Sequence, residues 1–244
     1  MKIKSFLSSI FLLFFAFAQN PWMDLHFPFF NPVYLQKFKV SSITLANISP
    51  STNQPERIEK FFVNQLGLLT NYIDFSSNEK RVFNYSNNQE LISQIIYTGK
   101  KIDTILYMID SEKKIIYEIF QKNLPNQYTY EIFKYSYSFN GELFNVERAE
   151  ISSLNKMDIT LACRNAKFTS CFNKIEKGYT IHIANEKYTF YKNSKGFIDI
   201  MIIEKNNHKE TWTLQYDVVN EKLVLIEKEI DGLNYKVFVT YETR

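Results

Sequence analysis

Side chains alternate at period two through long stretches of this chain, and that pattern constrains its fold more than any other feature. In Tyr128–Phe139, the residues Thr129, Glu131, Phe133, Tyr135, Tyr137 and Phe139 fall on one face. Tyr130, Ile132, Lys134 and Ser136 fall on the other. In Thr211–Val218, Trp212, Leu214, Tyr216 and Val218 share a face opposite Thr211, Thr213, Gln215 and Asp217. Successive residues of a strand point to opposite sides of a sheet, so these runs predict β-strands. The chain has 22 Phe and 16 Tyr among 244 residues, and such rings suit a pleated surface. Only Glu56–Leu69 offers near-helical spacing, at Ile58, Phe61, Phe62, Gln65 and Leu69, and Gly67 weakens it.

The turns carry the same message. The chain has 6 Gly but 23 Asn, and Asn tolerates the left-handed backbone that turns require. Asp231-Gly232, between two apolar runs, predicts a two-residue hairpin turn. Asn140-Gly141, Asn87-Asn88, Asn206-Asn207 and Lys195-Gly196 mark further turns. The first apolar residues after successive turns are Leu68, Leu91, Ile115, Leu143, Phe172, Phe197 and Leu223. They recur about every 26 residues, the length of one hairpin with its turns. The expected fold is all-β: an antiparallel meander of consecutive hairpins forming an open twisted or curled sheet. A β-sandwich or a closed barrel is the alternative.

Two stretches share more than spacing. Tyr137-Ser-Phe-Asn-Gly141-Glu-Leu143-Phe-Asn-Val146 and Tyr191-Lys-Asn-Ser-Lys-Gly196-Phe197-Ile-Asp-Ile200 both run from Tyr through a turn to an apolar pair. Tyr85 with Leu91, and Tyr216-Asp217 with Leu223 and Ile226, repeat the idea. This resembles the YD repeat of RHS-type proteins, over Leu68–Ile226. The resemblance implies a hairpin sheet. It carries no catalytic residue onto this chain, and the full toxin-enclosing shell belongs to far longer proteins.

Met1–Ala18 reads as a secretory signal peptide. Lys2 and Lys4 precede the apolar run Phe6–Phe17, and Ala16-Phe17-Ala18 forms a small-x-small cleavage site. The stretch Ala16-Phe-Ala-Gln-Asn20 resembles the ends of signal peptides in secreted proteins of the Bacteroidota. Cleavage removes two lysines, so the charge falls from +3 to +1. That balance argues against a nucleic-acid partner, which needs a concentrated basic footprint. No other apolar run is long enough to suggest a transmembrane helix. The expected organisation is a signal peptide at 1–18, an irregular aromatic-rich lead at 19–55 and a hairpin-repeat domain at 56–244. The expected location is exported: periplasmic, outer-membrane-associated or extracellular. An oxidising compartment and the seven-residue spacer between Cys163 and Cys171 predict a disulfide across one hairpin.

A search for catalytic chemistry yields little. His26, His182 and His208 have no metal-ligand spacing, phosphate loops are absent, and no cofactor is implied. Asp199 with Glu204, or Asp103 with Asp110, offers a carboxylate pair of glycosidase type, but alternating strands always offer such pairs. Lys222, Glu227, Lys228 and Glu229 put charges on both faces of one strand, which disfavours a lipid-facing barrel. Trp22, Phe27, Phe29, Phe30 and Tyr34 crowd the lead, as a belt covering the sheet or as a ligand platform. Candidate binding residues are Trp22, Tyr128, Tyr130, Tyr135 and Tyr137, whose rings suit stacking on a sugar or peptide. The leading expectation is a non-enzymatic scaffold or binding module of the bacterial envelope, with a protein or polysaccharide partner. A secreted glycoside-type hydrolase and a YD-repeat protein tied to a toxin system are the alternatives.

Overall fold

The computed structural model describes residues 21–27, 30, 32–110, 112–124, 127–138, 142–153, 156–217 and 222–244. The expected signal peptide and the Asn140-Gly141 turn lie outside them. The fold is an all-β antiparallel meander, with seventeen strands among the described residues. It divides into two compact units. One takes the described residues of Met1–His26 with Phe83–Ile95 and Asp103–Cys171. The other takes those of Phe27–Val82 with Ile96–Ile102 and Phe172–Arg244. Among the described residues no helix is long and apolar enough to cross a membrane.

In the second unit, β1 (Val40–Ile48), β2 (Pro55–Val63) and β3 (Leu69–Asp74) pair in succession, and β3 pairs with β4 (Glu79–Tyr85). The run continues with β5 (Leu91–Thr98), which like β4 passes from one unit to the other along the chain. In the first unit β6 (Lys101–Asp110), β7 (Ile115–Leu124), β8 (Gln127–Tyr137) and β9 (Leu143–Ser153) form a meander. The short β10 (Thr169–Ser170) adds to β9. The second unit resumes with β11 (Phe172–Ile175), β12 (Gly178–Ile183), β13 (Glu186–Lys192) and β14 (Ile198–Lys205). Then come β15 (His208–Tyr216), β16 (Leu223–Ile230) and β17 (Leu233–Thr243). The last strand returns to pair with the first, from Val40↔Thr243 to Ile48↔Lys236.

The repeat anchors have a structural meaning. Leu91, Ile115, Leu143, Phe172 and Leu223 each open a strand, and Tyr85, Tyr137 and Tyr216 each close one. The loops between follow one design. The backbone N–H groups of Asn64, Ser86, Ser138 and Asn193 donate to the carbonyls of Leu68, Glu90, Glu142 and Phe197, each four residues on. Their side-chain oxygens accept in return: Asn64 from Leu66 and Leu68, Ser86 from Asn88 and Glu90, Asn193 from Lys195 and Phe197. Ser138 accepts from Glu142 in the same way. Asp217 fills this place after Tyr216, closing its loop to Lys222. The position needs an acceptor oxygen rather than Asp itself, which is why the Tyr-Asp pair occurs once while the loop recurs. The third residue after the cap takes positive φ, +80° at Gly67, +65° at Gln89 and +86° at Gly196. Elsewhere Asn replaces Gly, with Asn206-Asn207 and Asp231-Gly232 making two-residue turns at positive φ.

Three departures from the sequence reading have local causes. The stretch 56–69 is not helical, because Phe61 and Val63 of β2 and Leu69 and Tyr72 of β3 bury one sheet face. The lead 19–55 is not irregular throughout: it holds α1 (Pro21–His26), α2 (Pro32–Lys37) and β1. Each helix opens on Pro, whose fixed φ suits a first helical position. The cysteine pair is also corrected: both thiols are free. Cys163 lies on α3 (Ile159–Asn165), not on a hairpin arm, and Asp158 caps that helix by accepting from Leu161 N at 3.0 Å. Ala162 and Cys163 then pack on Ile119, Tyr130 and Ile132. Burial pushes the Cys163 thiol up to about 11.

The recurring loop makes Gln89 a misfit, since a side chain at positive φ costs about 1 kcal/mol that Gly avoids. Gln89→Gly raises stability by about 0.5–1 kcal/mol, and Asn193→Ala, which strips a cap, lowers it by about 1 kcal/mol, both read by urea denaturation. The free thiols are checked with a disulfide reagent. Native protein shows Cys171 reacting first and Cys163 protected, and unfolded protein made without reductant shows both reacting.

Candidate functional site

The five rings singled out from the sequence do not gather on one open face. Trp22 is buried on α1, its ring 5.6 Å from Phe83 and 5.5 Å from His26. The two faces of β8 are both covered, so its alternation separates two interiors rather than inside from outside. Tyr130 and Ile132 lie under α3, with the Tyr130 hydroxyl accepting from Met157 N at 3.2 Å. Tyr128 is half-buried at the margin of that cluster. Tyr135 and Tyr137 are buried on the opposite face.

That opposite face contains a buried carboxylate. Glu118 accepts from Tyr135 at 2.7 Å through Oε2 and from Tyr107 at 2.8 Å through Oε1. Tyr107 also stands 2.8 Å from the amide oxygen assigned to Gln94, whose Nε2 is buried without a partner. A phenol has one proton to give. Turning the Gln94 amide over lets Nε2 donate to Tyr107 and leaves the phenol proton for Glu118, which completes the chain of donors. The arrangement is structural, holding one carboxylate between strands β6, β7 and β8.

The second unit has a richer cluster, which sequence reasoning missed. Arg57 bridges Glu59 at 3.1 Å and Asp74 at 2.9 Å. Glu59 also accepts from the Tyr72 hydroxyl at 2.6 Å, which together with burial drives that phenol's pKa well up. Burial works to raise the Asp74 carboxyl, but hydrogen bonds from Ser76 and Ser77 and the Arg57 charge hold it below its ordinary value. On the same buried face, β16 places Lys228 directly opposite Trp212 of β15. Its ammonium sits 3.6 Å from the indole centroid, and the indole N–H donates to Glu210 at 3.0 Å. Lys228 is only 6% exposed. Among the described residues no carboxylate or other acceptor reaches its Nζ at bonding distance. Glu59 and Glu210 act on it only from farther away. Burial therefore prevails and lowers its pKa to about 8. The buried Oδ1 of Asn47, on β1 opposite Arg57 and Val237, is the unmet polar atom described on this face.

The carboxylates proposed as pairs lie elsewhere. Asp103 is exposed, and Asp110 accepts from Lys113 in a turn. Glu204 bonds Lys187 at 2.6 Å on the surface, and that bond lowers its pKa. Asp199 is half-buried on β14. His182 is exposed on β12, and His208 meets Asp231 at 3.0 Å across a hairpin end. Among the described residues no three His, Cys, Asp or Glu side chains assemble as a metal site.

A buried ammonium without a counter-ion has a measurable signature. Its pKa falls from 10.5 unfolded to about 8 folded, so the unfolded chain holds the extra proton between those values. Stability from this group therefore rises with pH across that window, and below about pH 8 the full cost of about 3 kcal/mol applies. Lys228→Met is more stable than wild type at pH 7 by up to that amount. The advantage shrinks toward zero by pH 10.5, measured as the difference between urea midpoints at each pH.

No family model matches this chain. No curated protein matches it either. Among solved structures, a porin-like protein from Bacteroides uniformis aligns at TM-score 0.36 and 12% identity, over 83% of this chain and 98% of that one. A TcdB2-TccC3-Cdc42 structure aligns at TM-score 0.22 and 12% identity, over 76% of this chain. This chain spans about 10% of the length of that second chain.

Proposed function

We propose that this chain is an exported, non-enzymatic β scaffold that acts as a binding module of the cell envelope. The binding face is on the second unit, on the side of the sheet opposite Lys228 and Glu59. The observation that supports it is one apolar row that crosses five elements in register. Leu225 of β16 pairs with Phe238 of β17, Phe238 with Ala46 of β1, and Ala46 with Ile58 of β2. Phe75, just after β3, extends the row by donating its N–H to the Ile58 carbonyl at 3.0 Å. Phe238 is 49% exposed, Phe75 56% and Ile58 37%. Strands about 4.8 Å apart place the two phenyl rings roughly 14 Å from each other, the span of about three sugar units or a short peptide.

The flanks of the row are polar. Glu227 and Lys236 lie opposite each other on one side, and Lys60 with Glu242, 2.9 Å apart, lies on the other. An apolar strip with a charged rim is how recognition surfaces are built. The buried carboxylates favour a scaffold over a glycosidase. Glu59 and Asp74 are tied to Arg57, and Asp74 keeps a lowered pKa, whereas a general acid needs a raised one.

The test is a thermal-shift screen of wild-type protein and the Phe75→Asn/Phe238→Asn variant against envelope and dietary polysaccharides. A dose-dependent rise of a few degrees that the variant loses identifies the row as a glycan face. A flat screen removes the polysaccharide arm and sends the search to an envelope protein, through a photo-crosslinker placed at Phe238.

A further inference from the structure

We propose that one end of the second unit's sheet carries a binding site for an acidic saccharide, a uronic-acid unit held by Tyr34, Phe38, Tyr241 and Lys222. The site is separate from the exposed row. Phe238 of that row and Tyr241 lie three residues apart on β17 and face opposite sides of the sheet. Tyr241 stands across from the fully buried Ile43 of β1, so it carries the interior face to the strand's end. Burial weakens there. Leu35 of α2 is buried and anchors the helix, while Tyr34 and Tyr241 are half-buried and Phe38 is 36% exposed. The Tyr34 ring lies 4.5 Å from that of Phe38 and meets the Tyr241 ring edge-on at 6.4 Å. Phe197 and Tyr216 are stacked at 5.5 Å, and Tyr216 is near enough to act electrostatically on Tyr241. Four separate stretches of chain thus bring their rings to one place.

The polar groups on these rings select the ligand. Among the described residues neither the Tyr34 nor the Tyr241 hydroxyl makes a hydrogen bond. Tyr216 differs, since it donates to the Ile198 carbonyl at 2.7 Å. The Lys222 ammonium sits 4.3 Å over the Tyr241 ring, and the Lys37 ammonium 5.2 Å over Phe38. Among the described residues no carboxylate reaches either ammonium at bonding distance. The loop holds Lys222 in place, because the Asp217 N–H donates to the Lys222 carbonyl at 2.7 Å. Two carboxylates, Asp199 and Asp217, act on Tyr216 and Tyr34 from nearby. A ligand for this set needs an anionic group for the lysines and an apolar ring face for the aromatic side chains. It also needs hydroxyls that accept from the phenols and donate to the carboxylates. A uronic acid has all three on one ring. A neutral sugar leaves Lys222 without an anion, and a bare carboxylate offers the rings nothing to stack on.

The experiment is a thermal-shift and calorimetric titration of the full chain with oligogalacturonate and oligoglucuronate. Neutral galactose and glucose oligomers, sodium acetate and polyglutamate serve as comparisons. In wild type at least one uronate raises Tm by a few degrees in a saturable way, and the comparison compounds do not. Lys222→Gln and Tyr34→Phe/Tyr241→Phe each lower the affinity for that uronate at least about tenfold, as loss of charge-assisted hydrogen bonds requires. The Phe75→Asn/Phe238→Asn variant keeps the uronate response, so failure of the exposed row and failure of this site are read separately. Absence of a uronate response in wild type overturns the proposal. So does a response unchanged in both site variants, or one lost in the Phe75→Asn/Phe238→Asn variant. A response matched by the neutral oligomers, acetate or polyglutamate overturns it too. Tyr34→Phe/Tyr241→Phe removes two hydroxyls that bond nothing among the described residues, so it keeps the test valid if Lys222→Gln fails to fold.

Discussion

A charge taken out of water must find a partner, and that requirement shapes the interior of both units. Glu118 is buried between three strands, and two phenols donate to it. Glu59 and Asp74 are buried, and one guanidinium spans them while Tyr72 and two serines complete their bonds. Tyrosine suits this work. Its ring fills a position between strands, and its hydroxyl supplies the proton a carboxylate needs. Tyr72, Tyr107 and Tyr135 play this part at the two buried acids Glu59 and Glu118. Removing one partner from such a set leaves a bare charge, which costs far more than the pair contributes.

The capped loops solve a different problem. An antiparallel meander leaves backbone N–H groups unpaired wherever one strand hands over to the next. Here Asn64, Ser86 and Asn193, just past their strand ends, tie down the N–H groups two and four residues on, and a left-handed residue reverses the chain. The ladder shifts register just before several of these loops, at Phe62/Val63, Ser136/Tyr137, Tyr191/Lys192 and Gln215/Tyr216. Those bulges let the loop leave the sheet without stretching its first bond. The sequence showed this device as Tyr, a polar residue, Gly or a substitute, then an apolar residue.

Strand alternation and turn chemistry are local properties, so the hairpins were legible before the structure. Which faces are covered is not local. Tyr130 and Tyr135 fall on opposite sides of β8, and nothing in the alternation says that α3 covers one side while Tyr107 and Glu118 lie on the other. The helix was hidden for a related reason. Its signals, Asp158 as cap and Ile159, Ala162 and Cys163 at helical spacing, are short, and two cysteines nearby suggested a hairpin staple instead. The Arg57–Glu59–Asp74 set joins two strands, and the Lys228–Trp212 pair two more. Each member alone looked like an ordinary sheet charge.

Lys228 is the exception to the pairing rule, and register explains why the chain cannot escape it. A shift of one residue in β16 would turn Lys228 to solvent, but it would turn Glu227 and Glu229 inward. The strand is pinned at both ends against that shift. The Asp231-Gly232 turn fixes Ile230 opposite Leu233, and the bulge at Gln215/Tyr216 fixes Leu223 opposite Tyr216. Ile226, fully buried on the Lys228 side, holds the middle. Given that register, an apolar side chain at 228 would pack on Trp212 without the cost of a desolvated ammonium. Met201, opposite Trp212 on its other flank, shows that such a residue fits this layer. The chain keeps a cation there, over the Trp212 ring, at a cost in stability.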